Sequence, residues 1–333
     1  MNKGKKLLGF IVAIIVLATG IVVINNNLKK EVYAYIPNAG DGTISIIDVS
    51  ANKSISEIDV GNSVSHGIAA TIDGRKIYTG NLENGSVFIY DTKANKRIKE
   101  INVGKNVHGI DITPDGEKVL VASGDLQLDE ELNYISIIDT VTDEIIFTFR
   151  SDGKSPAHID FTKDSKIAFV SNVMSNDVSM IDMEKGEIIT NIKAGIMPNE
   201  TELSPEDKLL YVANVQDGNL SVIDIEAKKE IKKIDVSPGT HGIAVSKDGR
   251  HIWTANRFSN SVVVIDSKDS KIIEELVLDG EPNHISVTPD GQYAYVSMMK
   301  TNEVIVIDTK TFEITENINV GEEPHEIEFI TLP

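Results

Sequence analysis

A repeat of about forty residues is the feature that most constrains how this chain can fold. Seven times a short apolar strand ends in Ile-Asp or Tyr-Asp, at Asp48, Asp91, Asp139, Asp182, Asp224, Asp266 and Asp308. The spacings between successive aspartates are 43, 48, 43, 42, 42 and 42 residues. A strand-type unit at this period is typical of a ring of β-sheets around a central channel. The pattern predicts an all-β, seven-bladed propeller of four-stranded antiparallel blades.

One unit shows how four strands fit into each repeat. Strands are predicted over His241–Ser246, His251–Ala255, Ser261–Ile265 and Ile272–Leu278. The first two are joined by the turn Lys247-Asp248-Gly249, in which glycine permits the positive φ that a tight hairpin needs. The third strand is rich in β-branched residues, which suits a strand buried on both faces between neighbouring blades.

The two ends of the repeat array indicate how the ring closes. The first unit opens at its second strand, near Val32, and the last unit stops after a lone first strand from His325 to about Thr331. We expect this C-terminal strand to pair with the three N-terminal strands and complete one blade. Such pairing hides both sheet edges, which would otherwise invite aggregation.

A four-residue motif closes the second strand of most units. It reads Tyr35-Ile36-Pro37-Asn38, Tyr78-Thr79-Gly80-Asn81, Phe169-Val170-Ser171-Asn172, Tyr211-Val212-Ala213-Asn214 and Trp253-Thr254-Ala255-Asn256. These segments resemble the Tyr-Val-Thr-Asn repeat, and from about residue 32 to its end the chain looks like a YVTN-family β-propeller, within the superfamily of the cytochrome d1 and nitrous oxide reductase N-terminal propellers. Two units depart from the motif, since Met298 replaces the asparagine in one and Gly124 stands near its place in another.

Composition excludes several function classes. The formal net charge is −19, and residues 1–30 hold five lysines and no acid, so the remainder carries 27 basic against 51 acidic residues, a net −24. A body this acidic repels phosphate backbones, so we expect no nucleic-acid partner. The chain has no cysteine, which excludes disulfides, thiolate metal sites and thiol catalysis.

The N-terminus is predicted to be a targeting element. Residues 1–6 form a basic cytoplasmic segment, residues 7–24 an uncharged apolar anchor, residues 25–31 a linker and residues 32–333 the propeller. Eighteen residues at 1.5 Å rise span roughly 27 Å, close to a bilayer's hydrocarbon thickness. Because lysines stay cytoplasmic, we expect a single-pass protein with its propeller outside, facing an extracytoplasmic protein or cell-wall ligand. The alternative is a secreted protein cleaved at Val32-Tyr33-Ala34.

The histidines indicate where a site would lie. On alignment, the start of each first strand holds His66, His108, Ala157, Asn199, His241, Asn283 or His325, with His158 and His284 one residue further on. First strands are innermost in a propeller, so these side chains should converge on one rim of the channel. We predict a ligand-binding rim made of His66, His108, Asn199, Glu200, His241, Asn283 and His325.

Two interpretations of the rim histidines remain open. Imidazoles that converge on an axis can bind copper or zinc, with His66, His108, His241 and His325 as the ligands. Alternatively, each histidine caps the seam between blades: His241 shares strand parity with Ile243, which packs against the neighbouring blade.

Two features break the repeat and point to the same face. Glu200 stands beside the rim, where a carboxylate near His241 or His108 can support general acid–base catalysis. The segment Ser123–Tyr134 is a longer loop whose Asp125, Asp129, Glu130 and Glu131 are candidate partner contacts.

Three functions compete on this basis. The first is a membrane-anchored extracytoplasmic binding module for a protein, glycan or small ligand on the channel-rim face. The second is a copper- or zinc-binding or redox-associated propeller, a role implied by the resemblance to nitrous oxide reductase and to cytochrome cd-type nitrite reductases. The third is a propeller lactonase or lyase, with Glu200 and His241 as candidate catalytic residues.

Overall fold

The computed structural model describes residues 31–61, 64–81, 84–104, 106–124 and 133–332. Within these ranges, 28 strands form seven four-stranded antiparallel sheets, which confirms the predicted seven-bladed propeller. The predicted anchor over residues 7–24 lies outside the described residues. So do the candidate loop contacts Asp125, Asp129, Glu130 and Glu131. No helix in the described part of the chain is long and apolar enough to cross a membrane.

The strands follow one another in chain order from the inside of the blade to the outside in six blades, and blade 1 begins with the C-terminal strand. Blade 1 contains β28 (Glu328–Leu332), β1 (Glu31–Asn38), β2 (Thr43–Asp48) and β3 (Lys53–Asp59). Blade 2 contains β4 (Val64–Ala70), β5 (Lys76–Asn81), β6 (Ser86–Asp91) and β7 (Lys96–Asn102). Blade 3 contains β8 (Val107–Ile112), β9 (Lys118–Ser123), β10 (Tyr134–Asp139) and β11 (Glu144–Arg150).

The remaining four blades repeat this order. Blade 4 contains β12 (Pro156–Phe161), β13 (Ile167–Asn172), β14 (Asp177–Asp182) and β15 (Glu187–Lys193). Blade 5 contains β16 (Pro198–Leu203), β17 (Leu209–Asn214), β18 (Asn219–Asp224) and β19 (Lys229–Asp235). Blade 6 contains β20 (Thr240–Val245), β21 (His251–Asn256), β22 (Ser261–Asp266) and β23 (Lys271–Val277). Blade 7 contains β24 (Pro282–Val287), β25 (Tyr293–Met298), β26 (Glu303–Asp308) and β27 (Ile314–Asn319).

Blade 1 closes the ring by joining the two ends of the chain. Strand β28 pairs antiparallel with β1, with Thr331 opposite Val32 and Ile330 opposite Tyr33. The blade order β28-β1-β2-β3 confirms the predicted closure by a C-terminal first strand. Both exposed edges are thereby removed.

The core lies in the seams between blades. On β22, Val262, Val263, Val264 and Ile265 are all fully buried. Because successive side chains alternate between faces, Val263 packs into the cluster shared with blade 5 and Val264 into the cluster shared with blade 7. Full burial of one such side chain contributes about 1.5–3 kcal/mol.

The repeated polar residues hold the blades in shape. Asp266 accepts backbone N–H bonds from Lys268 at 2.9 Å and Asp269 at 3.2 Å, as in an Asx-turn. Asn214 donates to Asn219 and Ser221, each at 2.9 Å, and its side-chain oxygen accepts the Gly195 N–H at 3.0 Å. These repeated residues therefore serve the turns and the blade connections.

Candidate functional site

The innermost strands begin with an irregularity that turns their first side chains toward the channel. The pairing of β20 with β21 shifts register between Thr240 and Gly242, and that of β16 with β17 shifts between Pro198 and Thr201. A bulge of this kind re-aims the side chains beside it. Three equivalent positions on each first strand define the candidate site.

We name these positions by their order along the strand. The rim position holds His66, His108, Ala157, Asn199, His241, Asn283 and His325. The inward position, one residue later, holds Gly67, Gly109, His158, Glu200, Gly242, His284 and Glu326. The lower position, two residues further, holds Ala69, Asp111, Asp160, Glu202, Ala244, Ser286 and Glu328.

Six of the seven histidines of the chain meet at this end of the channel. His66 stacks on His325 with ring centroids 3.8 Å apart, and it meets His108 edge-on at 4.8 Å. The ring centre of His284 lies 4.9 Å from those of both His158 and His241. The structure therefore brings together all four rim histidines and the two inward ones, while His251 packs beside Phe312 away from them.

Hydrogen bonds between rim residues link neighbouring blades. Nδ1 of His241 donates to the carbonyl oxygen of Asn283 at 3.1 Å. The amide of Asn283 in turn lies 3.1 Å from Nδ1 of His325, and the amide of Asn199 lies 3.1 Å from Nε2 of His241. These bonds agree with the interpretation in which rim side chains cap the seams.

Glycine at the inward position allows neighbouring first strands to approach closely. A Cβ on Gly109 would overlap the carbonyl oxygen of Ala157 in the next blade, and one on Gly242 would lie 2.6 Å from that of Asn283. Gly67 faces the backbone of blade 3 in the same way. At the inward position, side chains therefore come from the other four blades alone, as His158, Glu200, His284 and Glu326.

These four inward side chains form two glutamate–histidine pairs. Nδ1 of His158 lies 2.6 Å from Oε1 of Glu326, and Nδ1 of His284 lies 3.2 Å from Oε2 of Glu200. Each glutamate also accepts a backbone N–H of the next blade, Glu326 from Ile68 at 3.2 Å and Glu200 from Ile243 at 2.8 Å. The carboxylates are therefore fixed by the backbone and orient the imidazoles.

The second nitrogen of each paired imidazole has no hydrogen-bond partner. Both His158 and His284 are only 2% exposed, and Nε2 of each is buried without a partner. Both residues line a cavity of about 230 Å³ in the channel. A buried polar atom without a partner is costly, so these atoms mark a place where a ligand would be stabilised.

Charge in the cluster is set by burial and by the neighbouring rings. Burial, reinforced by the surrounding imidazoles, holds the pKa of His66, His241 and His325 well below the usual range and lowers the pKa of His108 to about 3. His158 is different: burial disfavours its charged form, but the hydrogen bond and charge of Glu326 outweigh this and raise its pKa. The rim histidines are therefore neutral at neutral pH.

The residues predicted as metal ligands are largely engaged with one another. Nδ1 of His66 lies 3.3 Å from Nε2 of His108, and His241 bonds to the backbone. Among the described residues, no three histidine, aspartate or glutamate side chains are arranged to hold a metal ion. A copper or zinc site at the rim stays a prediction of the sequence.

The imidazole partner of Glu200 differs from the sequence prediction. Glu200 pairs with His284, whereas we expected His241 or His108. The reason is strand parity: Glu200 and His284 share the inward position, while His241 sits at the rim position. His158, His284 and Glu326 were therefore missed as site residues, although the offset of one residue from the rim histidines was visible in the sequence.

Fold and site together define a β-propeller whose channel mouth is lined by imidazoles and carboxylates. The chain belongs to the YNCE-like β-propeller family, whose model matches residues 34–332. This match confirms the YVTN-type resemblance seen in the sequence. No curated protein matches the chain.

Solved structures with the same fold come from proteins of several kinds. Kuenenia stuttgartiensis hydrazine synthase is 22% identical, with a TM-score of 0.74 over 83% of this chain and 92% of that one. The Pseudomonas aeruginosa periplasmic gluconolactonase PpgL is 14% identical, with a TM-score of 0.74 over 91% and 100%. Dihydro-heme d1 dehydrogenase NirN, in complex with DHE, is 17% identical, with a TM-score of 0.66 over 89% and 74%. At these identities the likeness concerns the fold alone.

Proposed function

We propose that this propeller is a binding protein that holds a small ligand in its central channel, entering past the rim histidines. One observation carries the proposal: His158 and His284 are each oriented by a glutamate and present an unpartnered Nε2 at the channel cavity. Ligand sites are concave and place a few fixed polar groups where they set the orientation of the ligand.

A fragment screen against the purified propeller tests this proposal. Cationic, neutral and anionic fragments are screened by ligand-observed NMR against the wild type and against Ser286→Leu, which places a larger side chain into the channel lining. The matched control is Ser56→Leu on the exposed outer strand β3. We expect fragments that bind the wild type and the control but not Ser286→Leu.

A second measurement keeps the test decisive if Ser286→Leu fails to fold. Bound fragments should shift the ring signals of His158 and His284 in the wild type and leave the ring of His251 unchanged. The proposal is overturned if no fragment binds, or if binding persists in a folded Ser286→Leu protein.

Lactone hydrolysis is a second candidate, favoured by the same pairs. An imidazole oriented by a carboxylate is the arrangement that a general base requires, and His284 with Glu200 has it. The likeness to a gluconolactonase adds only fold-level analogy. Hydrolysis of gluconolactone in a pH-stat should be lost in His284→Gln and kept in His251→Gln; equal rates in the two variants would exclude this candidate.

We also propose that the propeller is held at the outer face of the cell membrane by the apolar segment over residues 7–24. The support is its length and the five lysines that flank it. Fractionation of cells should place the full chain with the membranes and a chain lacking residues 1–30 elsewhere. If the intact mass instead corresponds to a chain that begins after Ala34, the protein is cleaved and secreted.

A further inference from the structure

A second layer of acids lies in the channel beneath the glutamate–histidine pairs. Four of the seven lower positions carry a carboxyl group, namely Asp111, Asp160, Glu202 and Glu328. All four are half-buried and line the same cavity as His158 and His284. Among the described residues, the cavity lining contains no lysine or arginine.

Backbone bonds account for part of the role of these acids. Asp160 accepts the Leu203 N–H of the next blade at 2.6 Å, and Glu328 accepts the N–H of Ala70. An amide side chain would accept such bonds equally well, since they need one oxygen and no charge. These backbone bonds therefore do not explain why the lower positions carry carboxylates and not amide side chains.

The acids act on one another because no lysine or arginine lies among them in the cavity lining. Burial and the charge of Glu326 raise the pKa of Glu328 to about 8, and burial raises the pKa of Asp160 to about 7, with Asp207 and Glu200 adding to the effect. A positive charge that entered the cavity would stabilise the ionised carboxylates and lower both pKa values.

Two buried polar atoms, each on a residue that lines the same cavity, point to a ligand. The hydroxyl of Thr201 is buried without a partner, on a side chain 2% exposed. Nε2 of His284 is also without a partner. Nδ1 of His284 carries the hydrogen that faces the Glu200 carboxylate, so in the neutral imidazole Nε2 is an acceptor. The cavity thus offers carboxylates, a hydroxyl and an acceptor nitrogen, which suits a ligand that donates.

The shape of the site decides between a metal ion and an organic cation. No three of the described acids and histidines converge closely enough to hold a metal ion. They surround instead a cavity of about 230 Å³. The inward and lower positions are two residues apart on a strand, so the Cα atoms of the two acidic layers are separated by about 6.6 Å along the strand. A ligand that reaches both layers must itself be extended.

We infer that the channel binds a short aliphatic diamine in its doubly protonated form, one ammonium at the Glu200, Glu326 and His284 layer and the other among the four lower acids. Extended chains cover three bonds in roughly 3.5 Å, so the nitrogens of 1,4-diaminobutane, five bonds apart, are about 6 Å from each other. An ammonium donates three hydrogen bonds and accepts none. This inference rests on the proposed channel-binding function and names its ligand class.

Calorimetric titration with 1,4-diaminobutane tests the inference. The comparison ligands are 1-aminobutane, which has one ammonium, 1,4-butanediol, which has none, and Ca²⁺ and Zn²⁺ as metal probes. We expect the diamine to bind at least about tenfold more tightly than the monoamine, because the monoamine lacks the charge-assisted hydrogen bonds of the second ammonium. The diol should not bind.

The variant pair Glu202→Gln with Glu328→Gln removes charge from the lower layer and keeps its acceptor oxygens. It should weaken diamine binding at least about tenfold. The matched control, Glu226→Gln with Glu57→Gln on exposed positions, should change nothing. If fragments of other classes bind the channel and the diamine does not, the proposed function stands and this inference fails. If nothing binds, both fail, and if Ca²⁺ or Zn²⁺ displaces the diamine from the channel at lower concentration, the ligand is a metal ion.

Discussion

Oε2 of Glu200 lies 3.2 Å from Nδ1 of His284, although the two residues belong to first strands two blades apart. The same oxygen accepts the Ile243 N–H of the blade between them at 2.8 Å. One side chain thus connects three successive blades and fixes an imidazole in the channel. Glu326 of blade 1 likewise accepts the Ile68 N–H of blade 2 and pairs with His158, which belongs to blade 4.

Removal of Glu200 should break two hydrogen bonds, one to the Ile243 N–H and one to the His284 ring. We expect Glu200→Ala to lower the free energy of unfolding by about 1–3 kcal/mol, because the Ile243 N–H loses its acceptor in a buried seam. The ring of His284 should change tautomer, since no carboxylate then holds the hydrogen on Nδ1. Chemical denaturation and ¹⁵N shifts of the ring measure the two effects. Glu206→Ala on an exposed turn is the control, and an unchanged His284 tautomer would contradict the pairing.

Stability should fall as the pH rises above neutrality. The folded pKa values of Glu328 and Asp160 are about 8 and about 7, against unfolded values near 4. Across that interval the folded state holds more protons than the unfolded state, so the free energy of unfolding decreases with pH. The raised pKa of His158 acts in the same direction above about pH 6.5. The lowered pKa values of the rim histidines act oppositely, but only below that pH.

The melting temperature measured from about pH 6.5 to pH 8 tests whether stability decreases as the pH rises. We expect it to decline in the wild type and to decline less in Glu202→Gln with Glu328→Gln, which should be more stable at the upper end by roughly 1 kcal/mol or more. The exposed pair Glu226→Gln with Glu57→Gln should follow the wild type. A melting temperature that rises over this range would contradict the assignment of raised pKa values to the lower acids.

Because neighbouring first strands approach closely at the inward glycines, a methyl group added there should lower the free energy of unfolding. We expect Gly109→Ala to lower the free energy of unfolding by about 1–3 kcal/mol, because the added Cβ overlaps the Ala157 carbonyl and the strands must separate. Gly61→Ala is the control: its Cβ meets nothing within 4 Å, and only the strain of its φ of 86° remains. That strain amounts to about 1–2 kcal/mol. Fluorescence-monitored urea unfolding compares the two, and an unaltered Gly109→Ala protein would refute close packing there.

The motif asparagine should matter through its three hydrogen bonds. Asn214→Ala leaves the Gly195 N–H in a buried position without its acceptor, so we expect a loss of about 1–3 kcal/mol. Asn317→Ala on the exposed edge strand β27 should stay within about 0.5 kcal/mol of the wild type. Met298 stands at the motif position of blade 7 and is fully buried, so this blade forms without the hydrogen bonds of a motif asparagine.

Much of the architecture was predictable because it depends on local and periodic signals. The spacing of Asp48 and its six counterparts predicted the blade count, and the orphan first strand after His325 predicted the closure through β28. The turn role of Asp266 and the seam bond of His241 also follow from strand parity and turn chemistry. Each of these depends on residues within one repeat or at its border.

The site was predictable only in part because its pairs join distant repeats. Glu326 and His158 are 168 residues apart, and nothing in their separation indicates contact. The lower acids likewise fall on strands that are far apart in sequence, and alternation by two from the inward positions, one residue after the rim histidines, was the one signal that could have found them.

The sequence by itself determined the ring, the number of blades, their closure and the end of the channel where the histidines gather, because hydrophobic alternation and turn residues act within about forty residues. Only the tertiary structure decided which histidines are paired, which nitrogens lack partners and which acids share a cavity. Those relationships depend on ring closure, which places side chains from four blades a few ångströms apart and leaves glycine where neighbouring first strands must touch.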